Sequence, residues 1–464
     1  MIPIRKIDTF VAFLGLLLFV GAFKATMTSF DPTVGGAVSI GNIRLQLTSG
    51  LVYISIMFLI LLRVEKFLNF CQNNLIIIGF LLIPLFSVFW SIAPDVTARR
   101  GGALLGTSLF AMYLAFALPV ERVIRILAVV YALTTIGSVF IIAAFPVYGT
   151  HQFGDYVGLW RGLYAQKNEF GATMAMAAIV IFLCPKYTSR ERLLSRIFVV
   201  LCLFLMFMSE SRAAWISFGC VCAIALAVWR ASGRGSKTSV KIFLLILISI
   251  SFGAILLKNA IPLLEMVGKD PTLSGRTDVW ALALDRAEDR PFLGFGYRAY
   301  WIDENKLRLM AEESWADNIN HGHNTYLDLF LELGYLGIIV FILTLGALIF
   351  KILSRIKYSN DYINIWAISS VCFILIRGAA ESTILQHADI NWVLFVYFFS
   401  LFASYRKPVR DQSQSELRVA SDGLISNNVS ISSIFFELKR DSTRNQTLSS
   451  MRTTINARVE ERSR

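Results

Sequence analysis

Charge is scarce in this chain: 16% of its 464 residues are Asp, Glu, Lys or Arg, against 56% that are hydrophobic. That balance excludes a soluble protein built from helices with one wet face, because the apolar residues come in blocks of about twenty rather than in stripes. Paired cysteine is lacking as well. Cys71, Cys184, Cys202, Cys220, Cys222 and Cys372 lie in or beside apolar segments with no CxxC pair, so neither a disulfide framework nor a zinc ribbon is expected. No nucleic-acid motif is visible. Asp-x-Asp, with which several metal-dependent sugar transferases hold a divalent ion, is absent throughout. The first apolar segment, Ile7 to Phe23, follows Arg5 and Lys6 like a signal sequence, yet no small-x-small cleavage site follows it, and a retained anchor is expected.

What is present is a succession of apolar blocks near 7–23, 46–62, 74–92, 102–118, 123–145, 169–184, 197–209, 213–229, 241–257, 324–350, 362–380 and 389–404. By length they predict an all-α polytopic membrane protein of about twelve transmembrane helices, with the bilayer as its main surroundings. The expected division is helices one to nine over 1–257, an outward-facing loop over 258–323, helices ten to twelve over 324–405, and a Ser/Asn/Arg-rich tail over 406–464. With the N-terminus in the cytoplasm, Arg63 and Lys66, Arg122 and Arg125, Lys186 to Arg196, Arg230 to Lys241, and Lys351 to Lys357 all fall on the inside, a positive-inside pattern that also places the C-terminus in the cytoplasm. The net charge of +12 follows from this bias and from the tail, which reads as a mainly disordered cytoplasmic segment.

Against that rule, outward-facing cations stand out. Outside the long loop they are Arg99, Arg100, Arg161, Lys167, Arg212 and Arg377. Arg212 sits in the short connection Ser209-Glu210-Ser211-Arg212, where a cation near the bilayer needs an answering anion. Glu210 is one such anion; a phosphate held by the planar guanidinium fork is the other. Inside the loop, Ser274-Gly275-Arg276-Thr277-Asp278 reads as a turn into a helix capped by Thr277 or Asp278, with Arg276 at its start.

Of the four histidines, only His321 and His323 cluster, at the head of the segment Asn324 to Gly334. Asn324, Asp328 and Glu332 repeat every four residues and share one helical face, and Gly334 and Gly337 are expected to let a neighbouring helix approach closely. For Asp328 and Glu332 a polar stripe that knits helices together is the preferred reading; for His323, at the membrane boundary, it is catalysis. His-x-His also suggests a metal, but no third or fourth ligand stands at zinc-like spacing. No metal and no cofactor is expected, and arginines would supply the positive charge.

At these residues the chain resembles the O-antigen ligase and Wzy-type polymerase superfamily, a group of polytopic bacterial glycan transferases. The carrying features are His323-Asn324-Thr325-Tyr326-Leu327-Asp328 through Gly334, Ser274-Gly275-Arg276-Thr277 with Trp280, and Pro291-Phe292-Leu293-Gly294-Phe295-Gly296. Gly158 through Gly171 and Ser209-Glu210-Ser211-Arg212 resemble most the exopolysaccharide polymerases of the ExoQ type. A departure stands at Gln166, where many relatives would carry His, leaving Lys167 as the cation of that step.

The resemblance implies a GT-C-like architecture in the bacterial inner membrane, with the long loop periplasmic. It implies an undecaprenyl-diphosphate-linked glycan as donor and metal-independent, inverting transfer. His323 would be the catalytic base; Arg212 and Arg276, with Arg161 and Lys167, would hold the diphosphate; His321, Asn324 and Glu381 would support them. A chain-length regulator and export machinery are further partners to be expected, and nucleic acid is not. A polymerase of repeat units is the first reading, a ligase onto lipid A core or another acceptor the second. A solute transporter is the remote third, disfavoured by the lack of inverted repeats or paired Gly/Pro-broken spans.

Overall fold

A computed structural model describes residues 4–22, 43–152, 156–231, 276–302, 321–356 and 362–404. Among them the chain is helical and has no strand; a single isolated bridge joins Thr150 to Trp160. The helices are α1 (Ile4–Phe19), α2 (Ile43–Leu61), α3 (Val64–Gln72), α4 (Leu75–Phe86), α5 (Pro94–Ala117), α6 (Val120–Ala144), α7 (Lys167–Leu183), α8 (Ser189–Met208), α9 (Arg212–Ala231), α10 (Arg276–Ala287), α11 (Thr325–Ile356), α12 (Tyr362–Gly378) and α13 (Ile390–Ala403), with a four-residue turn at Pro146–Gly149. Every apolar block read from the sequence is occupied by helix except the one near 241–257, which lies outside the described residues together with the tail.

Among the described residues three segments, Arg44–Leu61, Val120–Ala144 and Thr325–Arg355, are long and apolar enough to cross a membrane; α3 with Leu75–Phe89, bent by 95°, makes a fourth if taken as one broken span. The chain is therefore a multi-pass membrane protein. Several other blocks fall short on length: α7 and α12 have 17 residues each and α13 has 14, while a straight span of the hydrocarbon core takes about 20. In α5 the first turns carry Asp95, Arg99 and Arg100 instead of apolar residues.

Packing separates the helices into an inner and an outer set. α7, α12 and α13 are buried almost all round, as expected of helices that are apolar on every face yet enclosed by protein. Small residues bring them close: α7 reads Gly171-Ala172-Thr173-Met174-Ala175-Met176-Ala177-Ala178 through its buried stretch. α13 lies against α5, where the Trp392 indole donates to Ser108 Oγ at 2.9 Å and the Ala388 amide to Thr107 Oγ1 at 3.0 Å. On α2, α6 and α8, by contrast, Leu51, Ile54, Phe58, Val129, Ile136, Phe140, Ile197, Val200 and Phe204 are exposed, an apolar belt suited to lipid.

The two ends of the bundle differ in charge chemistry. At one end Arg63 forms a two-pronged pair with buried Asp8 at 3.1 and 2.8 Å, Arg5 and Arg122 line one shallow cavity, and Arg125 donates to the Pro185 carbonyl at 3.1 Å while stacking over Tyr187. These are the groups that the sequence assigns to the inside. Lys167 begins α7 at the other end, roughly 25 Å away for a helix of that length.

One break in α11 shapes that far end. Gly334 has φ +61° and ψ −157° in mid-helix, which interrupts the ladder and frees the carbonyls of Leu331 and Glu332 and the amides of Tyr335 and Leu336. The segment Pro291 to Gly296 takes up all four: Phe295 and Gly296 amides donate to Leu331 and Glu332 carbonyls at 2.8 and 2.9 Å, and Tyr335 and Leu336 amides donate to Pro291 and Phe292 carbonyls at 2.8 and 3.1 Å. An interrupted membrane helix is stable where another part of the protein satisfies the freed backbone. A Cβ on Gly334 would lie 2.4 Å from the Phe292 carbonyl carbon. The close approach expected at Gly334 is thus to a loop rather than to a helix, and it exists because the helix is broken there.

Candidate active site

His323 leaves the loop with φ +47°, a left-handed backbone that turns the chain into α11. Asn324 then caps the helix: its Oδ1 accepts from the Tyr326 and Leu327 amides at 3.0 and 3.3 Å. The segment after α12 is tied to the same point, because Thr325 Oγ1 donates to the Glu381 carbonyl at 3.0 Å and receives the Thr383 amide at 2.7 Å. This clamp brings two distant parts of the sequence into register. The Glu381 carboxylate therefore meets the His323 ring, Oε2 to Nδ1, at 2.9 Å, with 24% of the His323 side chain and 12% of that of Glu381 exposed. A carboxylate only accepts, so the ring proton of neutral His323 sits on Nδ1 and Nε2 carries a free lone pair.

Glu381 is itself held. Its second oxygen accepts from Asn168 Nδ2 at 3.3 Å, and Asn168 is the second residue of α7. Lys167, next to it, stacks its ammonium 4.5 Å from the Tyr156 ring, and its amide donates to His151 Nε2 at 3.1 Å. Burial and the neighbouring Arg161 and Lys167 charges push the His151 imidazole down to about 4, so it stays neutral as that acceptor. Lys167 is also within electrostatic reach of Glu210 and Arg212. The turn carrying these two tucks against α7, since a Cβ on Gly171 would lie 2.4 Å from Ser209 Oγ and 2.8 Å from Ser211 Cβ. The Arg212 side chain is exposed at the first residue of α9, and among the described residues it forms no ion pair with Glu210.

His321 stands beside His323, ring edge to face, with centroids 4.1 Å apart. Its Nδ1 is shut off from solvent and has no hydrogen-bond partner among the described residues. Burial foremost, then the adjacent His323, depresses its pKa to about 4. The two imidazoles and Glu381 offer ligand atoms that all lie within 4.8 Å of one another. The sequence showed no third ligand near the His pair; folding supplies one from 58 residues downstream.

Asp328 and Glu332 are buried, as an interior polar stripe requires. Asp328 holds the His loop in place, accepting from the Gly322 amide at 2.8 Å, the Trp301 indole at 2.9 Å and the Ser382 hydroxyl. Glu332 lies by the Pro291 to Gly296 segment, its Oε1 without a partner among the described residues and its carboxylate within electrostatic reach of buried Arg298. Arg298, which donates to the Gln386 side chain, and Arg100, which donates to the Arg298 carbonyl at 3.0 Å, are committed to this scaffold.

Arg276 is the first residue of α10, as the turn-into-helix reading has it, which leaves Thr277 and Asp278 inside the helix rather than at its cap. α10 is fixed next to the histidines by the Trp280 indole, which donates to the Gly322 carbonyl at 2.7 Å. The Arg276 side chain, Ser274 and Gly275 lie outside the described residues. Arg161 is buried and turned into its own loop, where it donates to the Tyr148 and Ala165 carbonyls at 3.1 and 3.5 Å. The residues brought together are thus His321, His323, Glu381, Asn168 and Lys167, with Arg212 close by. Asn168, in the Gly158 to Gly171 stretch, carries no signal of its own in the sequence, because its role needs Glu381 across from it.

Residues 197–342 match the family described as O-Antigen ligase. That match bears out the resemblance drawn from the motifs. The matched segment contains Arg212, Arg276 and His323, while Lys167 and Glu381 lie outside it. Among curated relatives, the exopolysaccharide production protein ExoQ of Rhizobium meliloti is 26% identical over 315 residues, 64% of this chain and 69% of its own length. A Rickettsia conorii protein provisionally named a polysaccharide ligase is 27% identical over 185 residues, which is 38% of this chain and 42% of that protein.

Proposed function

We propose that this chain is a glycosyltransferase that joins undecaprenyl-diphosphate-linked oligosaccharide repeat units into exopolysaccharide at the periplasmic face of the inner membrane. The observation that carries the proposal is electrostatic. The N-terminal turns of α7 and α10 reach the His321–His323 loop through the Asn168–Glu381–His323 and Trp280–Gly322 hydrogen bonds, and the turn before α9 packs on α7; these three helices begin with a cation, Lys167, Arg212 and Arg276. A helix N-terminus already carries about half a positive charge, so basic first residues there repel the helices they begin unless an anion is bound between them. A lipid diphosphate is such an anion, and guanidinium forks with free amides suit its oxygens.

In this reading the acceptor sugar hydroxyl gives its proton to His323 Nε2, its oxygen bonds to the anomeric carbon from the face opposite the diphosphate, and the carbon–oxygen bond to the lipid diphosphate breaks with inversion. Glu381 fixes the ring and stabilises the imidazolium that forms. The cations and helix ends neutralise the departing diphosphate, whose charge grows as the bond breaks. General-base assistance of this kind contributes on the order of 10²- to 10⁴-fold.

The placement of charge supports the sidedness. The basic clusters around Arg5, Arg63, Arg122 and Arg125 stand at the end of the bundle opposite Lys167, as positive-inside requires if the site faces outward. On this view the helices of 14 to 17 residues also cross the bilayer, enclosed by their neighbours, giving about twelve spans.

The relative that covers more of the chain is named for exopolysaccharide production, which favours polymerase; the other, named a polysaccharide ligase, keeps ligation to a different acceptor as the second reading. Mass analysis of glycans from cells lacking the gene separates them. Single unpolymerised repeats are the expected result, whereas long lipid-linked chains left unattached would indicate the ligase, and unchanged glycans would remove both.

A further inference from the structure

We infer that His321, His323 and Glu381 also form a binding site for a divalent ion of the zinc class, and that filling it switches transfer off. Two imidazoles and one carboxylate with a remaining position open to water are a set that zinc accepts readily. His323 Nδ1 and Glu381 Oε2 stand 2.9 Å apart, within about half an ångström of the roughly 3.3 Å that separates two ligands on a tetrahedral ion with bonds of about 2.0–2.1 Å. All the offered ligand atoms fall within 4.8 Å.

Two further features fit an ion better than they fit a bare His–Glu pair. Among the described residues His321 Nδ1 is sealed from solvent without a partner, a state that is unfavourable for a buried polar atom and that a metal bond to that nitrogen would relieve. The outer contact that a metal-bound carboxylate needs is already present, since Asn168 Nδ2 holds the other oxygen of Glu381 at 3.3 Å.

The consequence for transfer follows from the ring's single proton and rests on His323 acting as base. Without an ion that proton is on Nδ1, shared with Glu381, and Nε2 is basic. An ion taking the Nδ1 lone pair leaves the neutral ring with its proton on Nε2, so the bond Nδ1–H is replaced by Nδ1–metal and Nε2–H, with no net proton released by this residue. Nε2 is then a donor and cannot accept the acceptor hydroxyl's proton. The ion thus inverts the tautomer that Glu381 enforces.

The test uses the full chain in lipid nanodiscs, without a polyhistidine tag and stripped with a chelator. Co²⁺ is titrated by visible absorption and Zn²⁺ by calorimetry, both in the absence of donor. One ion per chain is expected, with binding weakened about 10- to 100-fold in His321→Ala and in Glu381→Gln and unchanged in His387→Asn. Failure to bind one ion, or variants that bind like wild type, overturns the site. If a variant loses its fold, the wild-type melting temperature still decides: stoichiometric Zn²⁺ must raise it, and no shift overturns the site. In the transfer assay Zn²⁺ should lower turnover at least about 10-fold, reversed by chelator, a loss within the 10²- to 10⁴-fold general-base contribution. Intact binding with unchanged or faster turnover overturns the switch while leaving the site, and because binding is read without donor, it stands apart from whether His323 is the base.

Discussion

Replacing Glu381 by Gln changes one atom, and the surroundings make the outcome specific. Asn168 Nδ2 donates to one Glu381 oxygen while the other receives His323 Nδ1–H. A glutamine that keeps its carbonyl on Asn168 points its NH₂ at His323, which must then accept at Nδ1 and carry its proton on Nε2, the wrong tautomer for a base. The opposite rotamer sets NH₂ against NH₂ at Asn168 and loses a hydrogen bond. Reaching the reactive arrangement therefore costs about 1–3 kcal/mol, the range for a buried group left unsatisfied, or roughly 5- to 150-fold in rate at 1.36 kcal/mol per decade.

The double variant Asn168→Ala with Glu381→Gln removes that constraint. The amide is then free to offer its carbonyl to Nδ1–H, and turnover should recover above the Glu381→Gln level despite the second change, a coupling of opposite sign to additive damage. The assay is turnover of a lipid-diphosphate-linked oligosaccharide in nanodiscs, with kcat and KM resolved and the loss expected in kcat. A Glu381→Gln enzyme as fast as wild type, or a double variant slower than both single ones, refutes the role given to Glu381.

Further outcomes follow from the same geometry. Gly334→Ala forces a Cβ to 2.4 Å from the Phe292 carbonyl carbon at φ +61° and should destabilise the protein by about 2 kcal/mol or more, whereas Gly346→Ala, with nothing within 4 Å, should be neutral or slightly stabilising; melting temperatures in detergent check both. His151 is held down at about 4 from 6.5, so the unfolded chain binds the extra proton between those values and stability falls as pH drops from about 6.5 to 4. His151→Gln, which keeps an acceptor for the Lys167 amide, should flatten that part of the profile, and an unchanged slope would count against a neutral His151. Arg212→Lys should raise KM for the lipid-diphosphate donor about 10-fold with little change in a soluble control property such as melting temperature, because a point charge replaces a two-pronged fork; equal KM would mean that Arg212 does not hold phosphate.

Much of this could be read in the sequence because lipid imposes simple rules. Apolar blocks became helices where length alone called for them, and Arg276 at a helix start and Asp328 and Glu332 in the interior followed from charge and periodicity. What stayed hidden depends on contacts far apart in the chain. Gly334 looked like a packing glycine because nothing local says that Pro291 to Gly296 will complete its broken ladder. Arg161 looked like a free cation because the carbonyls of Tyr148 and Ala165 curl back onto it only once the loop has formed. The His pair lacked a third partner because Glu381 arrives through the Thr325–Thr383 clamp rather than through spacing, and Asn168 gains meaning only from Glu381. Arg298 stands two residues beyond a recognised motif, yet its burial against Glu332 needs the loop's fold to be seen.

The account stands or falls on the imidazole of His323. Purified protein in nanodiscs, given a polyprenyl-diphosphate-linked oligosaccharide and followed by mass spectrometry, should lengthen the glycan and release lipid diphosphate; His323→Ala, melting like wild type, should lose at least about 100-fold of that rate. Turnover retained in the alanine variant would contradict it.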